Sequence, residues 1–113
     1  SPAFGQNAPP TWVPIVPTTK VLAIGHLTAA NPTPAQQGVM PQEVQDTVRL
    51  YLAGKIDQWY VRKDQGGVIF MLNVGSVAEA RELVNKLPLA KEKLMQFDLM
   101  PVGPLSPLGL LLK

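Results

Sequence analysis

The sequence predicts an α+β domain with one four-stranded antiparallel sheet and two helices, in the order β-α-β-β-α-β of a ferredoxin-like fold. Three observations lead to this prediction. Two stretches carry apolar residues at helical spacing and have recognisable end signals. Four stretches are rich in β-branched and aromatic residues, and a turn joins the middle two. The length of 113 residues suits one domain with its own core.

The N-terminal half supplies the first strand and the first helix. Residues 20–29 are β-rich and apolar on both sides, and NPTPAQQG at 31–38 is typical of a loop. The next stretch, PQEVQDTVRLYLAG at 41–54, begins with a proline, which suits a first helical turn. Gly54 is placed to end this helix in the left-handed conformation. Four apolar residues recur on one face of the helix: Val44, Val48, Tyr51 and Leu52.

The C-terminal half supplies a hairpin, the second helix and the last strand. Residues 56–63 and 68–74 are predicted strands, joined by an Asp-Gln-Gly-Gly turn. The sequence SVAE at 76–79 has the spacing of a capping box and predicts where the second helix begins. Pro88 is expected to end that helix, and residues 96–102 form the last strand.

Alternation along the last two strands divides the sheet into a helix side and an uncovered face. The helix side is expected to hold Val68, Phe70, Leu72, Val74, Phe97, Leu99 and Pro101. The uncovered face is expected to hold Ile69, Met71, Asn73, Asp98, Met100 and Val102. Because these residues carry little charge for a solvated face, we expect a second copy to cover them. The predicted assembly is a homodimer or a higher homo-oligomer whose paired sheets enclose a pocket.

The predicted domain, residues 19–104, has a different composition from the segments on either side. Residues 1–18 form a Pro-rich arm, and residues 105–113 form an apolar tail that we expect to pack on the domain or on a neighbour. The Ala3-Phe4-Gly5 sequence is loosely similar to a signal-peptidase site. It favours an exported protein, periplasmic or secreted, and the alternative location is the cytoplasm.

Composition and motifs argue against several functions. The net charge of +2 and the scattered basic residues give no reason to expect a nucleic-acid partner, and no apolar run is long enough to span a membrane. The chain has one histidine and no cysteine, which excludes thiol catalysis and an all-histidine zinc site within one chain. No phosphate-binding, nucleophile-elbow or metalloprotease motif is present.

The single histidine, His26, is the first catalytic candidate. It alternates with Leu22 and Ile24, while the small residues Ala23 and Gly25 point the other way and would admit a closely packed helix. That arrangement would turn His26 toward the pocket, where an imidazole can take a proton from a carbon next to a carbonyl. The alternative is a structural histidine that is hydrogen-bonded to a neighbouring group.

Asp98 and Asp57 are candidates for the acidic partner or a second base, and surface or dimer salt bridges are the alternative for both. Five further side chains are predicted to contact a ligand: Trp59, Tyr60, Met71, Asn73 and Met100. The two aromatic residues point to opposite faces, so one of them would line the pocket or the dimer interface. The methionines would adapt to a ligand and the asparagine would hold a carbonyl oxygen, with core packing and a strand end as the alternatives.

Four sequences in the C-terminal half carry a resemblance to a known family. They are GK at 54–55, IFMLNVGS at 69–76, KLPL at 86–89 and FDLMPV at 97–102. Residues 54–104 thereby resemble the muconolactone isomerase family of dimeric α+β barrels. The resemblance implies a pocket between the sheet and the helices, and a proton shift within an unsaturated lactone without metal or cofactor. Where that family would supply an acidic residue after the first strand, this chain has Thr28-Ala29-Ala30.

The expected function is therefore that of a small cofactor-independent isomerase or lyase acting on a lactone or a related carbonyl compound. The alternative is a non-catalytic module that binds a small ligand or a partner with the same dimeric barrel. A third possibility is haem or quinone oxygen chemistry, which would need Asn73, Trp59 and His26 to converge.

Overall fold

The computed structural model describes residues 15–105, which form four strands and four helices. The elements are β1 (Lys20–Leu27), α1 (Pro34–Gln37), α2 (Met40–Leu52), β2 (Ile56–Val61), β3 (Gly67–Leu72), α3 (Val77–Asn85), α4 (Pro88–Lys91) and β4 (Met95–Val102). The strands form one antiparallel sheet in the order β2-β3-β1-β4. This is the predicted ferredoxin-like arrangement, with two short additional helices.

One side of the sheet carries the core, as the alternation predicts. The strand residues buried on this helix side are Val21, Ala23, Ile56, Phe70, Leu72, Met95, Phe97 and Leu99. They pack with Ala80 and Val84 of α3 and with Leu87 and Leu89 around α4. Gly25 also lies on this side, where an added Cβ would come within 2.7 Å of the Phe97 ring. The small residues of β1 therefore face the helices, and the residues between them face the uncovered side.

The helix ends follow the predicted signals in part. The Ser76 hydroxyl accepts a hydrogen bond from the Glu79 amide at 3.1 Å, which is one half of the predicted capping box. Gly54 follows α2 with a φ of 80°, the left-handed conformation expected of it. The predicted loop at 31–38 contains α1, because Thr33 and Gln36 form a reciprocal capping box there. Pro88 follows the end of α3 and also begins α4.

The two ends of the domain lie side by side at one end of the sheet. The Thr19 amide donates to the Val102 carbonyl at 3.0 Å, and Gly103 packs against Pro17. Most of the arm predicted at 1–18 and of the tail predicted at 105–113 lies outside the described residues, as does the Ala3-Phe4-Gly5 sequence. Within residues 15–105, no helix combines the length and the hydropathy needed to cross a bilayer.

Candidate functional site

A cleft of about 560 Å³ opens between α2 and the part of the sheet formed by β2 and β3. Its walls are apolar side chains from these two strands, from α2 and from the end of β1, among them Leu27, Met40, Val44, Val48, Val61 and Phe70. The volume is within the range of small-molecule sites, and such sites are mostly apolar with a few polar groups. The cleft therefore has the size and surface of a pocket for a small organic molecule.

The orientation of α2 leaves this cleft unfilled. The apolar face predicted for α2 does not pack into the core: Val44 is 54% exposed and Leu52 is 76% exposed. The helix instead turns Glu43 inward, which is its one buried residue, with Thr47 a turn later and half-buried. In the single chain, the apolar face predicted for α2 therefore borders the cleft and solvent and not the core. Exposed apolar side chains that cluster in one patch are typical of a surface that binds a ligand or a protein partner.

Glu43 is the one acidic side chain that lines the cleft, and it is only 7% exposed. Its Oε1 accepts a hydrogen bond of 2.8 Å from the Leu89 amide, and its Oε2 lies 3.5 Å from the Thr47 hydroxyl. Burial raises the pKa of the Glu43 carboxyl above its ordinary value, and the two hydrogen bonds offset part of that effect. A carboxyl with a raised pKa in an apolar cleft is suited to general acid–base chemistry.

The structure explains why an acidic residue is buried here. Pro88 begins α4, and the residue before it, Leu87, provides no side-chain cap. The first amides of a helix need acceptors, and Glu43 supplies one from a different helix, 46 residues away in the chain. Sequence reasoning missed Glu43 because the need arises only when α2 and α4 are packed together.

Two aromatic side chains stack beside the cleft. The ring of Trp59 on β2 lies 4.2 Å from that of Tyr51 on α2, with an angle of 8° between the planes. Trp59 pairs with Phe70 of β3, which places it on the helix side and in the cleft wall. Both predicted aromatic residues border this cleft: Trp59 lies on the helix side of β2, and Tyr60, the next residue of this edge strand, alternates to the other face of the sheet. Stacking on Tyr51 fixes the plane of the Trp59 ring, which forms part of the cleft wall.

The uncovered face holds the remaining candidates in rows across the sheet. Tyr60 pairs with Ile69, which in turn pairs with Ile24 and then Asp98. The next row contains Met71, Leu22 and Met100. All of these side chains except Tyr60 are half-buried, and Tyr60 is exposed. Met71, Met100 and Tyr60 thus share one largely apolar surface, on the opposite side of the sheet from the cleft.

His26 and Asp98 are brought onto this same face. His26 pairs with Gln96, and Asp98 pairs with Ile24, so the two candidates are diagonal neighbours on adjacent strands. Diagonal neighbours in a sheet are roughly 7 Å apart, close enough for a ligand or a water molecule to bridge them. In residues 15–105 no direct hydrogen bond joins them.

A cation lies within electrostatic reach of Asp98. Arg62, which follows β2, donates hydrogen bonds of 3.0 and 2.8 Å to the two carboxylate oxygens of Asp64. This pairing raises the pKa of Arg62 and lowers that of Asp64, and the charge of Asp98 makes a smaller contribution to the first effect. Asp98 therefore lies near both a histidine and a guanidinium group.

Asp57 and Asn73 lie at the other end of the sheet. Asp57 forms an ion pair of 3.4 Å with Lys20, and Lys20 also donates to the side-chain oxygen of Asn73. The Asn73 side chain donates to the Gly54 carbonyl at 2.9 Å. Lys20 and His26 are six residues apart in β1, which corresponds to about 20 Å. Asp57 and Asn73 are therefore not gathered with His26, and Asn73, Trp59 and His26 do not converge as haem or quinone chemistry would require.

Neither metal ligands nor similarity to known proteins adds to this description of the site. Among the residues that the structure describes, no three acidic or histidine side chains are grouped so that they could hold a metal ion. The chain matches no protein-family model. No curated protein shows significant similarity to it either. The fold and the cleft therefore define the class, an α+β domain of ferredoxin-like type with an apolar cleft and one buried carboxyl.

Proposed function

We propose that this protein is a small cofactor-independent isomerase or lyase that moves a proton within a lactone or related carbonyl compound bound in the cleft. The observation that carries the proposal is Glu43, a buried carboxyl with a raised pKa in an apolar cleft of about 560 Å³. The resemblance to muconolactone isomerases supports the same reaction class. Glu43 lies on α2 and faces the cleft. It would supply the acidic group that is absent from the end of β1.

The proton shift needs only one group that can act as both base and acid. The Glu43 carboxylate would take a proton from the carbon next to the carbonyl, and the electrons of the broken C–H bond would form an enolate. The protonated carboxyl would then return the same proton to a carbon further along the conjugated system, and the double bond would move. Nothing is oxidised or reduced, and a carboxyl with a raised pKa is suited to both halves of the reaction.

The uncovered face offers a second location for the same chemistry. His26 and Asp98 are neighbours there, but they would be enclosed only if another molecule covered the sheet. We propose that a second copy does so, because the central rows of this face are largely apolar and no helix among residues 15–105 packs over it. Two sheets pack about 10 Å apart, and a stable interface buries about 800 Å² of each partner.

Isomerisation of a simple unsaturated lactone such as α-angelica lactone, followed by ultraviolet absorbance, tests the reaction and its location. Glu43→Gln should lower kcat/KM at least 100-fold, within the range that a general base contributes, and His26→Ala should retain the wild-type value. The glutamine keeps an acceptor for the Leu89 amide, so the fold is expected to remain intact, as circular dichroism would verify. Loss of turnover in His26→Ala alone would place the reaction on the uncovered face instead.

A binding module without catalysis is the second candidate function. It is favoured by the sparse chemistry of the cleft, where Glu43 is the one carboxyl among the described lining residues and no histidine, lysine or arginine accompanies it. Wild-type protein that binds unsaturated lactones in the cleft but leaves them unchanged would support this function over the isomerase.

The dimer is tested by light scattering. We expect at least twice the 12.2 kDa mass of one chain, and Ile24→Lys should reduce the mass to that of a monomer. Leu52→Lys is the matched control, because Leu52 is an exposed apolar residue on α2 and not on the sheet. A wild-type monomer, or an assembly broken only by the Leu52 change, would contradict packing through the sheet. Export of the protein stays a prediction from residues 3–5.

A further inference from the structure

The charges around the cleft select among the compounds that could enter it. Among residues 15–105, its lining includes no lysine, arginine or histidine, and it includes one carboxyl, Glu43. The pKa of that carboxyl is raised by burial and, to a smaller extent, by the nearby charge of Asp46. The cleft therefore has negative charge to offer a ligand and no side-chain cation to balance an anion.

We infer that the ligand of this cleft is an uncharged, largely apolar ring compound and that the cleft rejects compounds bearing a carboxylate. An anion placed here would lose its hydration and gain no opposite charge, and it would lie near the Glu43 carboxylate in surroundings that screen charge poorly. Each of these effects weakens binding of the anion and leaves a neutral compound of the same shape unaffected.

The walls are consistent with a flat neutral ring. Trp59, stacked on Tyr51, contributes an aromatic ring to the wall, and Val44 and Val48 of α2 line the same cleft. Glu43 Oε2 has only a weak contact of 3.5 Å with Thr47, so it retains capacity to accept a hydrogen bond from a ligand. An uncharged lactone or cyclic carbonyl compound would occupy the apolar walls and place its acidic C–H group against this oxygen.

A matched pair of probes tests the inference, which refines the proposed function by naming its substrate class. The probes are (5-oxo-2,5-dihydrofuran-2-yl)acetate and the corresponding primary amide, which have nearly the same shape and differ in charge. Binding is followed by the fluorescence of Trp59 in a Trp12→Phe background, so that Trp59 is the only tryptophan. In neutral buffer the amide should bind at least tenfold more tightly than the acetate.

Two variants separate charge from shape. Glu43→Gln should strengthen binding of the acetate and reduce the ratio of the two dissociation constants, without bringing it to one, because the cost of removing the anion from water remains. Val48→Lys, which adds a cation to the wall of the cleft, should reverse the preference in favour of the acetate. Equal binding of the two probes to the wild type, or a ratio that neither variant changes, would overturn the inference.

The result also separates this inference from the proposed reaction. If the amide is preferred but no unsaturated lactone is isomerised, the cleft is a binding site for uncharged compounds and only the catalytic proposal fails. If lactones are isomerised while acetate and amide bind equally well, the catalytic proposal stands and the ligand class inferred here is wrong.

Discussion

Replacing Glu43 by glutamine and by alanine separates the charge of this side chain from its role as a hydrogen-bond acceptor. Burial raises the pKa of the carboxyl, so the folded protein holds the proton more tightly than the unfolded chain does. Below the ordinary glutamate pKa of 4.5, the protonated carboxyl contributes its full share to the free energy of unfolding. This contribution is lost as the pH rises through the pKa of Glu43 in the folded protein, which is higher. In neutral buffer the ionised carboxylate therefore lowers the free energy of unfolding.

Glutamine stays neutral and keeps an oxygen for the Leu89 amide. We expect Glu43→Gln to match the wild type below pH 4.5 and to be more stable than the wild type in neutral buffer. Alanine leaves the Leu89 amide without the 2.8 Å bond and removes a methylene group. The expected loss is roughly 2–4 kcal/mol, from an orphaned buried donor and the lost apolar contact.

Urea unfolding, monitored by circular dichroism at both pH values, measures these differences, and each variant is compared with the wild type at the same pH. The other titrating groups then contribute equally to both proteins. A wild type that is more stable than Glu43→Gln in neutral buffer, but equal to it below pH 4.5, would refute the reasoning, because it would mean that the folded protein stabilises the carboxylate.

Three further predictions concern packing and backbone conformation. Gly25→Ala should cost about 1–3 kcal/mol, since the new Cβ would lie 2.7 Å from Phe97, and adding Phe97→Leu should recover part of the loss in urea unfolding. Gly54→Ala should cost about 1–2 kcal/mol from backbone conformation alone, because its φ is 80° and, among residues 15–105, no atom beyond its own chain neighbours lies within 4 Å of the added Cβ. A cost near zero would contradict that conformation. Tyr51→Ala should shift the Trp59 emission to longer wavelength and destabilise the fold by about 0.5–1.5 kcal/mol, whereas unchanged emission would mean that the rings do not stack.

The sheet was predictable from the sequence because its pattern repeats every two residues. Phe70 and Leu72, like Phe97 and Leu99, alternate with less buried residues, and this fixes their side of the sheet without knowledge of the partner strand. The same alternation predicted that Trp59 and Tyr60 lie on opposite faces of the sheet, and that His26 lies on the face opposite to Gly25. The ends of the helices were predictable for a similar reason, since caps depend on a few adjacent residues.

The orientation of α2 was not predictable in this way. An apolar stripe indicates that a helix face will be covered, and it does not identify what covers it. Glu43 faces inward because the Leu89 amide needs an acceptor, and that need depends on packing between distant segments. The grouping of site residues failed for the same reason. Asp57 and His26 were considered together, but pairing between strands places them at opposite ends of the sheet.

The adjacent ends of the domain determine how it would respond to mechanical load. Thr19 and Val102 are joined at the same end of two antiparallel neighbours, β1 and β4, and β4 is an edge strand. Tension applied through these two points would pull the strands apart across their hydrogen bonds, which would break one after another from the Lys20–Val102 pair onward. Unzipping of this kind requires less force than shearing a whole ladder at once. The domain would therefore open from its edge strand under a small pulling force, while β2 and β3 at the other edge stay paired.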